Sequence, residues 1–412
     1  MNQQPNGFYG LGIAPSLLEI LQRLHFVTPT PIQAQAIPVA IEGKDVVGIA
    51  QTGTGKTLAF GIPMMQRLAI TKKQGLVVAP TRELALQIDE VLHKVGQSIG
   101  LRTVVLIGGT SMHPQIKAIQ RKPHIIVATP GRLIDHLEQK YLRLQNVGVV
   151  VLDEADHMLD MGFLPQINKI FAALPKERQT MLFSATMPPE IMKMAAAHMQ
   201  LPVRVEIAPA GTTVAGVKQE LFIVSPDKKL ALLQKILTTY TGSTLVFTRT
   251  KHGAKKVTRQ VRALGFAAAE IHSNRSLSQR KEALAGFKSG QYRVLVATDI
   301  AARGIDVVGI ELVLNYDLPS TSDDYVHRIG RTARAGAAGH AITFAQPGQQ
   351  NEIRSIERLI RKSLSVSKLP ELPILPHMAF VDEPRDRPYR SQNFRHRGFQ
   401  RRSRGGSRSS RY

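Results

Sequence analysis

Between about residues 44 and 207 the chain alternates two patterns. Short, unbroken apolar runs at 45–49, 75–79, 103–107, 124–128, 147–152 and 180–183 are rich in Val, Ile and Leu. Between them lie longer segments whose apolar residues recur at helical spacing. Strands that are apolar at successive residues are buried on both faces, so the pattern predicts a parallel sheet covered by helices on either side. The stretch 208–217, made of small residues with Gly and Pro, interrupts this rhythm and reads as a linker. The alternation then resumes, with candidate strands at 220–224, 243–247, 292–297, 310–314 and 340–344. The expected fold class is α/β, with tandem parallel-sheet domains over residues 1–207 and 218–365. A last helix is expected within 349–364, because Pro370, Pro373 and Pro376 prevent its continuation. Residues 366–412 are dominated by Arg, Ser and Gly, cannot bury enough surface to offset chain entropy, and are expected to form a disordered basic tail.

Charge narrows the choice of partner. The formal net charge is +23, and residues 384–412 hold ten Arg against one Asp, so the rest of the chain is basic without its tail. Nucleic acid suits such a balance. Aromatic residues are only 5% of the chain, which argues against a stacking platform of the kind used by passive single-strand binders. With no cysteine, disulfides and thiolate metal sites are excluded, and His93, His113, His124 and His136 lack metal-ligand spacing. No apolar run approaches bilayer length, and residues 1–7 lack the cationic start and apolar stretch of an export signal. The expectation is a cytoplasmic protein with no membrane partner.

Three segments carry chemistry. Residues 50–57, AQTGTGKT, follow a strand and precede a helix. In that setting Thr52, Gly53, Thr54 and Gly55 let backbone N–H groups converge on phosphates, Lys56 supplies a cation, and the Thr57 hydroxyl can hold Mg2+. The strict pattern asks for Gly where Ala50 stands. Residues 153–156, DEAD, follow an apolar strand and so sit at the carboxyl edge of the same sheet, where ligand crevices form. There Asp153 can hold Mg2+ through water, and Glu154 can orient or deprotonate the water that attacks a γ-phosphate. Residues 327–334, HRIGRTAR, place Arg328, Arg331 and Arg334 at three-residue spacing, which would put all three on one helical face as a charged clamp. Such arginines, brought from another domain, make hydrolysis depend on closure. The first two motifs together define a nucleoside triphosphatase.

With these residues in place, the sequence resembles the DEAD-box ATP-dependent RNA helicases of superfamily two, over roughly residues 8–364, as a bacterial-type member with a short basic tail. The stretches that carry the resemblance occur in order: PTPIQ at 29–33, the phosphate loop, PTREL at 80–84, Gly108-Gly109, TPGR at 129–132, DEAD, SAT at 184–186, LVF at 245–247, ATD at 297–299, RGID at 303–306 and HRIGRTAR. The resemblance implies two RecA-like domains, with ATP and Mg2+ as cofactors. It implies that Gln33 reads the adenine edge, that Phe26 and Phe8 pack about the base, and that Asp306 reaches the ribose. It further implies that Ser184, Thr186 and His327 link hydrolysis to closure, while Arg331 and Arg334 reach the γ-phosphate. RNA would be held by Thr81, Arg82, Gly109, Thr129, Gly131 and Arg132 in the first domain and by Arg280 and Thr298 in the second. That mix of donors and glycines suits phosphate contact without base reading.

Three positions depart from the family pattern. His25 and Ala333 stand where members usually have Gly, and Leu277 stands where many carry Gln. The activity implied is ATP-driven separation of short RNA duplexes or remodelling of RNA–protein complexes, with ribonucleoprotein or RNA-decay partners. The alternative is an RNA-annealing or RNA-clamping protein whose ATPase is regulatory.

Overall fold

A computed structural model describes residues 7–51, 53–207, 217–302, 307, 309–332 and 339–374. Thr52, Asp306, Arg334, nearly all of the predicted linker and all of the tail beyond residue 374 lie outside these residues. Among the described residues the first lobe contains seven strands: β1 (Val46–Ile49), β2 (Gln74–Val78), β3 (Thr103–Leu106), β4 (Ile125–Ala128), β5 (Val147–Leu152), β6 (Gln179–Ser184) and β7 (Val203–Glu206). The second contains six: β8 (Val217–Ile223), β9 (Thr244–Phe247), β10 (Ala268–Ile271), β11 (Val294–Ala297), β12 (Leu312–Asn315) and β13 (Gly339–Ala345). Every pairing is parallel. Both lobes belong to one compact unit that ends at Pro373.

Strand order groups the candidate motifs into two sets. In the first lobe it runs β3-β4-β2-β5-β6-β1-β7. PTREL, Gly108-Gly109 and TPGR follow β2, β3 and β4, which are neighbours at one side. The DEAD, SAT and phosphate-loop segments follow β5, β6 and β1, also neighbours. The two sets of motifs thus occupy adjacent halves of one carboxyl edge, where ligand crevices form. The second sheet runs β10-β11-β9-β12-β13-β8. Thr298 follows β11, and the helix carrying Arg280 follows β10.

The strands are buried on both faces, as continuous apolar runs require. Phe60, Ile88 and Phe183 belong to the cluster on one face of the first sheet, and Leu133, Ile167 and Met194 to the cluster on the other. In the second lobe, Ile353, Ile356 and Ile360 of the last helix, Gln350–Ile360, pack with Tyr325 and Leu221. Residues 365–367 pair beside β8, where Leu221 N donates to Ser365 O (3.0 Å) and Ser367 N donates to Leu221 O (2.8 Å). Among the described residues no helix is long and apolar enough to cross a membrane. His25 adopts a left-handed φ of 59°, a conformation that Gly reaches without a Cβ penalty.

One expectation fails. The helix Ser322–Ile329 ends before Arg331, so the arginines at 328 and 331 do not share a helical face. Arg328 is instead buried, donating from Nη2 to Asp299 Oδ2 (2.8 Å) and from Nη1 to Asp317 O (2.7 Å) and Asn315 Oδ1 (3.2 Å). It ties the start of the short helix Asp299–Ala302 to the end of β12. Gly330 is the C-cap of the helix, and Arg331 lies beyond its end.

Candidate nucleotide and RNA site

The phosphate loop leaves β1 and enters the helix Lys56–Thr71 through Gly53 and Gly55, both at φ 86°. Gly55 is needed for space as well as angle, because a Cβ there would run into the Gln33 side chain. Gln33 Nε2 donates to Gly55 O (3.0 Å), and its Oε1 accepts from Thr30 N (2.9 Å) in the capping box of the helix Pro31–Ile41. The adenine-reading candidate is therefore bonded to the loop that would hold the phosphates. Lys56 Nζ donates to Ala50 O (3.0 Å), Thr54 Oγ1 donates to Gln51 O (2.7 Å), and Thr57 is half-buried in the first helical turn. The two aromatic candidates separate. Phe26 is 38% exposed and available to a base, whereas Phe8 is 4% exposed within the first lobe's apolar cluster.

The acidic centre is buried. Asp153 Oδ1 accepts from Glu154 N (3.0 Å), and burial pushes its carboxyl up to about 6, although the Lys56 charge opposes the rise. A buried acid lacking full compensation suits a cation. Mg2+ is commonly held by one or two carboxylates with phosphate oxygens and waters, so Asp153 and Thr57 fit it without a larger cage. Glu154 sits at φ 51° as N-cap of the helix Ala155–Asp160, with Oε2 3.3 Å from His157 Nδ1. Burial would raise its carboxyl. The hydrogen bond and charge of His157, with the charges of Lys56 and Arg331, outweigh burial and hold it well below the carboxylate range. Glu154 is thereby held ionised, whereas burial makes its neighbour Asp153 the weaker acid of the pair.

Asp156 joins this centre to the end of β6. Its Oδ2 accepts from Ala185 N (3.1 Å), Thr186 N (2.9 Å) and Thr186 Oγ1 (3.0 Å), while Asp156 N donates to Ser184 Oγ (3.2 Å). From the second lobe, His327 Nε2 lies 3.9 Å from the same Oδ2. Arg331 is buried, with Nε donating to His327 O (3.2 Å), and its charge acts on Glu154. Ser184, Thr186, Asp156, His327 and Arg331 thus form one chain of side-chain and backbone contacts across the cleft.

At the other half of the edge, Thr81 Oγ1 accepts from Leu84 N (3.2 Å) and caps the helix Arg82–Gly96. The Arg82 guanidinium lies over Gly108 and Gly109, and a Cβ on Gly109, whose φ is 72°, would overlap it. Thr129 precedes the helix Pro130–Glu138, Gly131 is open to solvent, and Arg132 Nη2 donates to Thr110 O (3.1 Å). Arg132 Nη1 is buried with no hydrogen-bond partner, a donor suited to an anion. Arg280 Nη2 donates to Glu83 Oε2 (2.9 Å) across the lobes. Thr298 is half-buried at the start of the helix Asp299–Ala302.

Sequence reasoning missed four contributors. Glu83 is the ion-pair partner of Arg280, His157 holds Glu154, and Asp156 is the hub at the end of β6. Gln115 donates from Nε2 to Ile107 O (3.0 Å) and to Thr110 Oγ1 (2.9 Å), bracing the Gly108-Gly109 turn, while His136 Nε2 contacts its Oε1 (3.2 Å). Glu83 and Asp156 stood inside quoted motifs, so their signal was present. Gln115 and His157 had none.

Two parallel sheets with a phosphate loop on one and a basic finger on the other define a two-lobed nucleoside triphosphatase. The DEAD/DEAH box helicase family profile matches residues 30–194, and that of the helicase conserved C-terminal domain matches residues 228–336. The chain is 43% identical over 368 residues to the DEAD-box ATP-dependent RNA helicase CshA of Bacillus cereus, covering 89% of this chain and 70% of the relative. It is 44% identical over 372 residues to the ATP-dependent rRNA helicase RRP3 of Debaryomyces hansenii, covering 89% and 78%. Among solved structures it is similar to S. cerevisiae Dbp5 bound to RNA and ADP BeF3, with a TM-score of 0.80, 29% identity, and 88% and 95% of the two chains covered. Mss116p bound to ssRNA and AMP-PNP gives 0.82 at 27% identity, covering 90% and 81%. The chain belongs to the DEAD-box family of ATP-dependent RNA helicases.

Proposed function

We propose that this chain binds ATP and single-stranded RNA in one cleft, that closure of the cleft completes the hydrolytic site, and that the closed state strips one strand from a short duplex. The observation that carries this reading is the contact chain from Ser184 and Thr186 through Asp156 to His327 and Arg331, which only the meeting of both lobes completes. Gln33 would set the preference for ATP, since an amide can pair with adenine at two positions. Phe26 would pack on the base, and Asp306 would hold the ribose. Lys56 and the backbone of residues 52–55 would hold the phosphates, Glu154 would orient and deprotonate the attacking water, and Arg331 and Arg334 would neutralise charge at the γ-phosphate. Mg2+, held through Asp153 and Thr57, would supply charge to the phosphate oxygens.

Thr81, Arg82, Gly109, Thr129, Gly131 and Arg132, with Arg280 and Thr298, would grip the RNA backbone. Their donors and open glycines suit phosphate and carry no base code. We place the activity in the cytoplasm, on ribonucleoprotein or RNA-decay substrates. ATP hydrolysis measured with RNA, with DNA and with no nucleic acid, beside release of a short labelled duplex, tests the reading. RNA-selective stimulation together with release is expected. Hydrolysis indifferent to RNA contradicts it, and stimulation without release favours a clamping protein.

A further inference from the structure

The helix Leu277–Lys288 opens with a capping box: Ser276 Oγ accepts from Gln279 N (3.3 Å), and Gln279 Oε1 accepts from Ser276 N (3.0 Å). The box fixes the first turn, so Leu277 and Arg280, three positions apart, project from one face. Leu277 is half-buried and packs against the apolar cluster of the first lobe that includes Leu84, Ala85 and Ile107. One turn along, Arg280 meets Glu83 at 2.9 Å, with side chains only 12% and 4% exposed. Glu83 is flanked by Leu84 and by Arg82, whose guanidinium covers Gly108 and Gly109. A single face of a second-lobe helix therefore bears on the base of the first lobe's RNA-facing loops. An amide at 277 would keep its water or find a polar partner, whereas leucine gains by leaving water.

We infer that Leu277 is a positioning residue for the proposed RNA-stimulated reaction: its side chain seats this helix on the first lobe, holds Arg280 on Glu83, and biases the cleft towards closure before RNA binds. The inference rests on the RNA-helicase reading above. A contact made only in the closed arrangement raises the closed population and leaves the closed complex unchanged. RNA then supplies less of the closure, so the RNA concentration needed for half-maximal stimulation falls while saturated turnover stays the same.

The test uses the full-length chain, Leu277→Gln and the apolar control Leu277→Met. Poly(U) is titrated into the ATPase reaction, and a dye pair across the lobes reports closure with a non-hydrolysable ATP analogue and no RNA. Leu277→Gln is expected to raise half-saturating RNA roughly five- to tenfold and to lower the closed fraction, with kcat at saturating RNA within about twofold. Leu277→Met should behave as the parent. Equal half-saturation in all three proteins with RNA stimulation intact overturns this inference alone, as does a fall in kcat without a change in half-saturation. Absence of RNA stimulation in the parent overturns the helicase reading and this inference with it.

Discussion

Arg328 and Arg331, three residues apart, have opposite expected phenotypes. Arg328 is buried and bonded to Asp299, Asn315 and Asp317 of its own lobe, so Arg328→Ala leaves Asp299 and the end of β12 uncompensated. Breaking such a pair costs on the order of 3–5 kcal/mol, and the thermal midpoint should fall accordingly. Arg331 faces the acidic centre across the cleft, so Arg331→Ala should keep the midpoint and lose about 10³ in RNA-stimulated turnover. A reversed pattern, with Arg331→Ala unfolding and Arg328→Ala active, would contradict both assignments. The phosphate loop and the carboxylate also differ in kind. Lys56→Ala should weaken ATP binding, whereas Glu154→Gln should bind ATP and RNA but turn over slowly, because the first removes phosphate charge and the second the ionised base. Titration with a fluorescent nucleotide beside steady-state hydrolysis separates the two.

At the scale of elements, the apolar runs located most strands to within a residue or two, as with 45–49 against β1, 103–107 against β3 and 147–152 against β5, but β8 begins three residues before its run at 220–224, and β7 and β10 were not predicted. Strand order was not legible, because parallel pairing is decided by which helices cover which faces and not by any local signal. The clamp helix was misread because three-residue spacing marks one helical face only while the helix lasts, and Gly330 ends it. Phe8 and Phe26 were read as a pair about the base, yet one is a core residue, a difference in burial that composition cannot reveal. The Gly108-Gly109 turn was legible as a motif, but its cause lies in packing, since Arg82 fills the space a side chain would need. Gly109→Ala combines a clash with Arg82 and a strained φ of 72°. It should raise half-saturating RNA roughly tenfold while RNA-free affinity for ATP is unchanged. Equal weakening of both ligands would mean that the first lobe's loops are not divided between RNA and nucleotide as the strand order suggests.

At the scale of the whole molecule, residues 384–412 carry ten Arg and no part of the proposed hydrolytic set. Deleting them should leave RNA-free hydrolysis nearly intact and weaken RNA binding without regard to sequence. If about half of those arginines displace counterions from a single strand, the log-affinity against log-salt slope should drop in magnitude by roughly three to four. Parallel salt lines for the two lengths would assign the tail a role other than RNA capture.

The central claim is that one closure serves both ligands, because the catalytic contacts and the Arg280–Glu83 contact are made by the same meeting of lobes. Linkage then requires each ligand to strengthen the other by an equal factor. The most direct measurement is the Kd of a non-hydrolysable ATP analogue with and without saturating poly(U), paired with the Kd of poly(U) with and without the analogue. The account predicts tightening in both directions by the same factor, on the order of 5- to 150-fold. Affinities for each ligand that ignore the other would contradict it.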